Sequence, residues 1–139
     1  MAETAQAFQW IVATLKADTA LMTAATGGIW QGYADVGTVG PMVIIAQQAG
    51  TDVMTQNARR LFVNLLLQVK AVGPSTSYTA LVTIADRIDV LLGRVGPAAL
   101  TVGGILSCYR EQTISIDQLD NGAAWSTLGG MYRMQLQGS

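Results

Sequence analysis

The sequence contains no histidine and a single cysteine, Cys108. Without histidine, the chain lacks the commonest general base and the commonest zinc ligand, and it has no Ser-His or Cys-His dyad. One cysteine excludes a disulfide within the chain. Because Cys108 lies within a segment that reads as a strand, we expect a buried, unreactive thiol. These absences argue against nucleophilic catalysis of the Ser-His or Cys-His type and against a zinc centre.

Charge is also scarce: Asp, Glu, Lys and Arg make up 12% of the 139 residues, whereas a soluble domain ordinarily has about 25%. The mean hydropathy is +0.35. The longest charge-free segments, 19–34 and 36–51, fall short of the roughly 20 apolar residues that a membrane-spanning helix needs. The first ten residues do not read as a secretory signal. We therefore expect a soluble protein, made in the cytosol, whose surface is poor in charge because partners cover part of it.

The formal net charge of −1 argues against nucleic acid as the main partner, because neutralising phosphates requires an excess of basic residues. The eight basic residues are scattered, and only Arg59 and Arg60 are adjacent. These two residues are interpreted either as solubilising charges or as contacts to an acidic partner.

Apolar residues at helical spacing predict an amphipathic helix over about 4–17 and a second, short helix after it, with Asp18 as its N-cap. A third helix is predicted to follow the polar break at 73–77, and Gly93 to close it. Its apolar stripe comprises Tyr78, Leu81, Val82, Ala85, Ile88, Leu91 and Leu92.

The remaining segments favour strands. A long hairpin is expected between the strand that follows Pro41 and the strand near 60–72, with a loop at 50–58. A second loop is expected at 118–130, where Asn121-Gly122 is a turn signal. The chain is thus predicted to be one α+β domain, residues 1–139, with helices packed on one side of a largely antiparallel sheet. The other predicted strands are 29–33, 104–112, 114–117 and 130–137.

Segment 61–73 has two unlike faces when it is read as a strand. One face is wholly apolar and is expected to lie on the core. The other mixes Phe62 and Leu66 with Asn64, Gln68 and Lys70. A face that is neither apolar nor fully polar is predicted to be covered in part, which makes Phe62 and Leu66 candidate interface residues.

No pattern of carboxylates or glycines predicts a catalytic, cofactor or metal site. Asp86 and Asp89 resemble a paired carboxylate site, but are more simply two solvated acids on a helix. Asp117 and Asp120 lack the spacing and the closing Glu of a calcium loop. The glycine pairs match no nucleotide fingerprint. We therefore expect a protein that is not an enzyme and binds no cofactor or metal.

Three further positions are candidate contacts. Arg110-Glu111 and Arg133 lie on segments predicted to be strands, where they are expected either to pair across the ladder or to contact another subunit. Trp10 lies off the apolar stripe of its helix. It is interpreted either as an exposed interface anchor or as a partly buried tryptophan at the edge of the core.

The order of these segments resembles the tail terminator, or tail completion, proteins of long-tailed bacteriophages. The resemblance covers nearly the whole chain and depends on order and spacing rather than on any one motif. The segments that carry it are "LKADTALMTAATGGIWQGY", "VGPMVII", "RRLFVNLLLQVKAVGPSTSYTALVTIADRIDVLL", "GILSCYREQ" and "DNGAAWSTLGGMYRMQLQ".

The resemblance implies a structural role in a virion. Proteins of this family form a sixfold ring on the last ring of the tail tube, end its polymerisation and present a surface for joining the head. The implied partners are further copies of the chain, the tail tube protein and a head–tail connector protein. DNA would pass through the lumen without sequence-specific binding, and no membrane is implied. The implied location is the head-proximal end of the tail, with assembly in the host cytoplasm. Alternatives are a head-side connector or stopper of the neck and a small dimeric ligand-binding domain.

Overall fold

The computed structural model describes residues 2–34, 37–54, 60–100, 104–120 and 122–137. Helices and strands occur in separate runs along the chain, as the α+β prediction requires. A single 3-10 turn, Ser75–Ser77, precedes the third helix. The helices are α1 Ala2–Lys16, α2 Thr19–Ala24 and α3 Tyr78–Leu92; the strands are β1 Ile29–Gln31, β2 Met42–Met54, β3 Arg60–Pro74, β4 Arg94–Val95, β5 Ala98–Ala99, β6 Gly104–Asp120 and β7 Ala123–Gln137.

The seven strands of the described residues form one sheet in the order β1-β2-β3-β7-β6-β4, with β5 also paired to β6. Two long hairpins, β2–β3 and β6–β7, make up its centre. The first strand, β1, runs parallel to β2, while the other described pairs are antiparallel. The predicted fold class is therefore confirmed, including the long hairpin.

The three helices pack on one face of this sheet, which we call the covered face. Alternate residues of β3, such as Leu65 and Leu67, point into it and are buried, together with Tyr132 and Met134 of β7. They form one cluster with the apolar sides of α1, α2 and α3. The period of two along the strands and of about 3.6 along the helices thus generates a single core.

Asp18 links two of the helices. As predicted, it caps α2: its Oδ1 accepts a hydrogen bond from the Leu21 amide nitrogen at 2.9 Å. The same carboxylate pairs with the Arg87 guanidinium of α3, whose Nε lies 3.1 Å from Oδ2. These Arg87 hydrogen bonds, with the hydrogen bond from the Leu21 amide, lower the pKa of Asp18. One carboxylate therefore ties α2 to α3.

Burial in α3 differs from the predicted stripe. Tyr78 and Val82 were expected in the core but are 50% and 36% exposed, whereas Ile84 is fully buried. The buried residues follow the spacing i, i+3, i+7, i+11, which is a regular helical stripe rotated away from the predicted one. The four buried residues are Leu81, Ile84, Ile88 and Leu92.

Two predicted loops are largely strand. Residues 118–130 were expected to form a loop, but they complete β6 and begin β7, with Gly122 at φ +81° in the tight turn between them. Likewise β2 continues to Met54 rather than ending near residue 48, and the rest of the predicted loop, 55–58, lies outside the described residues. Strand pairing prevails over polar composition here, because each segment faces a long partner strand.

Candidate interaction surface

The sheet face opposite the helices, which we call the open face, is the surface singled out by the sequence. Along β3, Phe62, Leu66 and their polar neighbours are half-buried, whereas the residues between them are buried. These buried residues of β3 belong to the core cluster, which also contains the buried residues of the helices. Both residues therefore lie on the side of the sheet away from the helices, as the alternation predicted.

One part of the open face is polar. The Arg133 Nε and NH2 groups of β7 donate hydrogen bonds to the two carboxylate oxygens of Glu111 on β6, at 2.9 and 3.2 Å. Both side chains are about one-third exposed, so the pair adds only a few tenths to about 1 kcal/mol to stability. The expected cross-ladder pairing of Glu111 and Arg133 is present. A shallow basin surrounds it, lined also by Asn64, Ser107, Tyr109 and Gln135.

The other part of the open face is more apolar and lies towards β2, with the Asn64–Thr51 pair between its two apolar pairs. Leu66 faces Ala49 of β2, and Phe62 faces Val53. Between Leu66 and the outer side of β2 stands only the small Ala49 side chain. The apolar half of the open face is thus close to one edge of the sheet.

Arg110 does not join this surface. Because neighbouring strand residues point to opposite faces, Arg110 lies on the covered side, where its NH1 is 3.5 Å from Asp89 Oδ1 of α3. Tyr132, directly across the ladder from Arg110, is buried there. Burial raises the pKa of Tyr132, and the nearby Asp89 carboxylate raises it further. Asp89 therefore forms an ion pair, whereas Asp86 is exposed as predicted.

The structure places Trp10 at the edge of the core and describes only Arg60 of the Arg59-Arg60 pair. Trp10 is partly buried and packs against the core cluster, which is the second of its two predicted settings. Another tryptophan, Trp30 in β1, donates its indole N–H to the Gly27 carbonyl oxygen at 2.7 Å. Arg59 lies outside the described residues, and Arg60 is the first residue of β3, opposite Met54.

Besides the polar and apolar parts of the open face, the surface has a feature that was not predicted from the sequence: the free edges of the sheet. On β6, strands β4 and β5 pair only with residues up to Tyr109, so among the described residues no strand pairs with the outer edge of 112–120. On β2, β1 pairs only with Val43–Ile45, which leaves the outer edge of 46–54 likewise unpaired within the described ranges. The signal was present in "QTISIDQLD", an alternating segment without Lys or Pro, the residues that usually protect an edge.

Polar groups elsewhere are arranged for structure. Ser126 is buried, donates a hydrogen bond to Asp117 Oδ1 at 2.8 Å and accepts one from the Ser75 hydroxyl at 2.8 Å, which joins the turn end of the β6–β7 hairpin to the segment before α3. Burial raises the pKa of Cys108 to about 12, so its thiol stays protonated. Within the described ranges, no three His, Cys, Asp or Glu side chains are grouped to hold a metal ion. No helix in this part of the chain is long and apolar enough to cross a membrane.

The fold has a counterpart among solved structures. The chain is similar to a chain in the structure of the virion of a native gene transfer agent particle. The TM-score is 0.69, and the similarity covers 92% of each chain at 10% sequence identity. At that identity the similarity establishes a shared fold. No protein-family model and no curated protein matches the sequence.

Proposed function

We propose that this protein is a structural component of a phage-like virion. In this proposal, six copies of the protein form a ring that caps the tail tube. The observation that carries the proposal is the match over 92% of both chains to a chain of a gene transfer agent virion. It agrees with the segment order that resembles the tail terminators. Two independent lines, one from structure and one from sequence pattern, thus point to the same class of assembly.

The surface supports an assembly role. Phe62 and Leu66 on the open face, together with exposed Ile116 and Leu119 on β6, form apolar surface that a monomer leaves in water. Charges that would keep such a surface soluble are few, at 12% of the chain. Neighbouring subunits and the tube cover this apolar surface and so remove the free-energy cost of its exposure to water. Proposed contacts are Arg59, Arg60, Phe62, Leu66, Glu111 and Arg133.

The test is electron microscopy of the purified protein, alone at high concentration and mixed with tail tubes of its own particle. We expect closed sixfold rings, free or on one end of each tube, and tubes that no longer elongate. Monodisperse single subunits under both conditions would contradict the proposal. Rings found on the head side of the neck would instead identify a connector or stopper.

A further inference from the structure

We propose that neighbouring copies join edge to edge, with the free edge of β6 in one copy paired to the free edge of β2 in the next. The inference rests on the proposed ring and specifies how its subunits contact each other. It makes each junction a continuation of the sheet rather than a contact between separate surfaces.

The edge of β6 is built for pairing. From Gln112 to Asp120 it pairs with β7 without a bulge, so its outward N–H and C=O groups stand in a regular row. Ile116 is 48% exposed and Leu119 is 80% exposed. A long, regular edge that has no Lys or Pro and exposes apolar side chains is a template for another strand, and sheets that remain monomeric usually interrupt it.

The edge of β2 matches it in length and direction. The unpaired stretches 46–54 and 112–120 are equally long, and 49–53, between two bulges of β2, is the regular part of the first stretch. Through β3 and β7, each strand runs antiparallel to the next, so β2 and β6 of one chain point in opposite directions. When the sheet is continued by rotation, β6 therefore meets the next β2 in antiparallel fashion. Such a head-to-tail contact uses two different edges and closes into a ring when the rotation between neighbours is a sixth of a turn.

Side chains on the open face complement each other at this junction. Ile114 and Ile116 lie opposite Gly129 and Thr127 of β7, on the same face as Met131 and Arg133. At the other edge, the small residues of β2 separate the junction from Leu66. Pairing would place the two isoleucines of one copy beside Ala49 of the next and extend the apolar half of the open face across the junction.

Pairing the midpoints of the two free stretches, Ile116 and Gly50, gives a first register. Ile116 is level with Val72 through Thr127, and Gly50 is level with Leu65. From Leu65 to Val72 the offset is about 24 Å along the strands, against about 19 Å for four strand spacings. The strands of the ring would then tilt by about 50° from its axis, slightly more than the 35–45° usual in barrels. A smaller tilt moves Ile116 to Ala49, whose offset of about 20 Å corresponds to a tilt of about 47°. Ala49 is therefore the expected partner, and Thr51, which needs a tilt of about 55°, tests the register on the other side of Gly50.

Cysteine cross-linking tests this register. Two double variants, Ile116→Cys with Ala49→Cys and Ile116→Cys with Thr51→Cys, are made in a Cys108→Ala background and oxidised in a ring preparation. Within one chain the two cysteines are three strand spacings apart, about 14 Å across the sheet, and six or more residues apart along the strands, which is beyond the reach of a disulfide. Links therefore form only between chains and appear as a ladder of oligomers on a non-reducing gel.

The matched control pairs Ile116→Cys with Asp52→Cys. Asp52 adjoins Thr51 in the chain but faces Val63, so it lies on the covered side of the sheet. We expect at least tenfold more linked chains for Ala49→Cys or Thr51→Cys than for this control. Rings without links at either position, or with equal links at Asp52, would overturn the edge pairing and leave the ring itself intact. Absence of any ring or tube-bound assembly would overturn the proposed function and this inference together.

Blocking the edge gives a second, independent readout. Ile116→Lys places a charge on the edge, whereas Val90→Lys places one on the helix α3, where Val90 is 65% exposed. Both variants should remain folded, and only Ile116→Lys should reduce ring formation, by at least tenfold. Equal ring formation by the two variants would contradict the proposed junction.

Discussion

The two faces of the sheet come from the same strands but have different surroundings. On β3, Leu65 is buried under the helices, and Leu66, one residue later, is only half-buried on the open face. Leucine occurs on both faces, so composition alone does not distinguish them. The difference lies in the neighbours: the odd positions of β3 are all apolar, whereas the even positions include Asn64 and Gln68. A face with such a mixture is suited to a contact that forms after folding, because its polar groups keep the free subunit soluble.

The largest expected effect comes from placing the same charge on each face. Leu65→Glu buries a carboxylate among apolar side chains, at a cost of several kcal/mol, against a total stability of about 5–15 kcal/mol. We expect it to unfold the domain. Leu66→Glu should leave the circular dichroism spectrum and Tm close to those of the wild type, but should block assembly. If Leu66→Glu also unfolds the monomer, the open face belongs to the core and its proposed role as a contact surface is wrong.

An intermediate effect separates the two sides of α3. Ile84→Ala removes a fully buried side chain and should destabilise the domain by about 2–5 kcal/mol. Val82→Ala, on the flank of the same helix, should cost less than about 1 kcal/mol, since Val82 is 36% exposed. Urea denaturation followed by circular dichroism measures both. Equal losses would restore the stripe predicted from the sequence.

What the sequence could reveal follows from the range of the interactions involved. The cap at Asp18, the helix α1 and the alternation in β3 depend on residues a few positions apart, and these features were predicted. The extension of β6 and β7 through 118–130 depends on pairing between distant segments, and it was missed because Asn121-Gly122 fixes only the turn. The free edges were missed for the same reason: an edge is free only by virtue of the strand order of the whole sheet.

The positions of the candidate site residues were likewise predicted only in part. Phe62 and Leu66 were assigned to the correct face, and Glu111 pairs with Arg133 across the ladder. Arg110 was grouped with them, although adjacent strand residues point to opposite faces, so that it contacts Asp89 instead. Ile116 was not considered, because its exposure depends on where β4 and β5 end along β6.

The smallest expected effect concerns two ion pairs, one on each side of the sheet. Asp18–Arg87 lies in the helix layer, and Glu111–Arg133 lies on the open face. The Asp18 side chain is 8% exposed and its pKa lies below the ordinary value of 3.8, mainly because it accepts hydrogen bonds from Arg87. A lowered folded-state pKa contributes stability above the unfolded value, and this contribution is lost as the pH falls through the folded pKa. The wild type should therefore lose stability below about pH 4.

Asp18→Asn keeps a capping side chain but removes the charge, so Tm at pH 7 should fall by about 2–5 °C and depend less on pH below 4 than in the wild type. Asp18→Ala, which also removes the cap, should lower Tm further. Glu111→Gln is the matched control, since it neutralises a partly exposed partner and should change Tm by less than about 2 °C. Differential scanning calorimetry from pH 3 to 7 measures all three variants. If Glu111→Gln were as destabilising as Asp18→Asn, the open face would contribute to the folded monomer as strongly as the helix layer does.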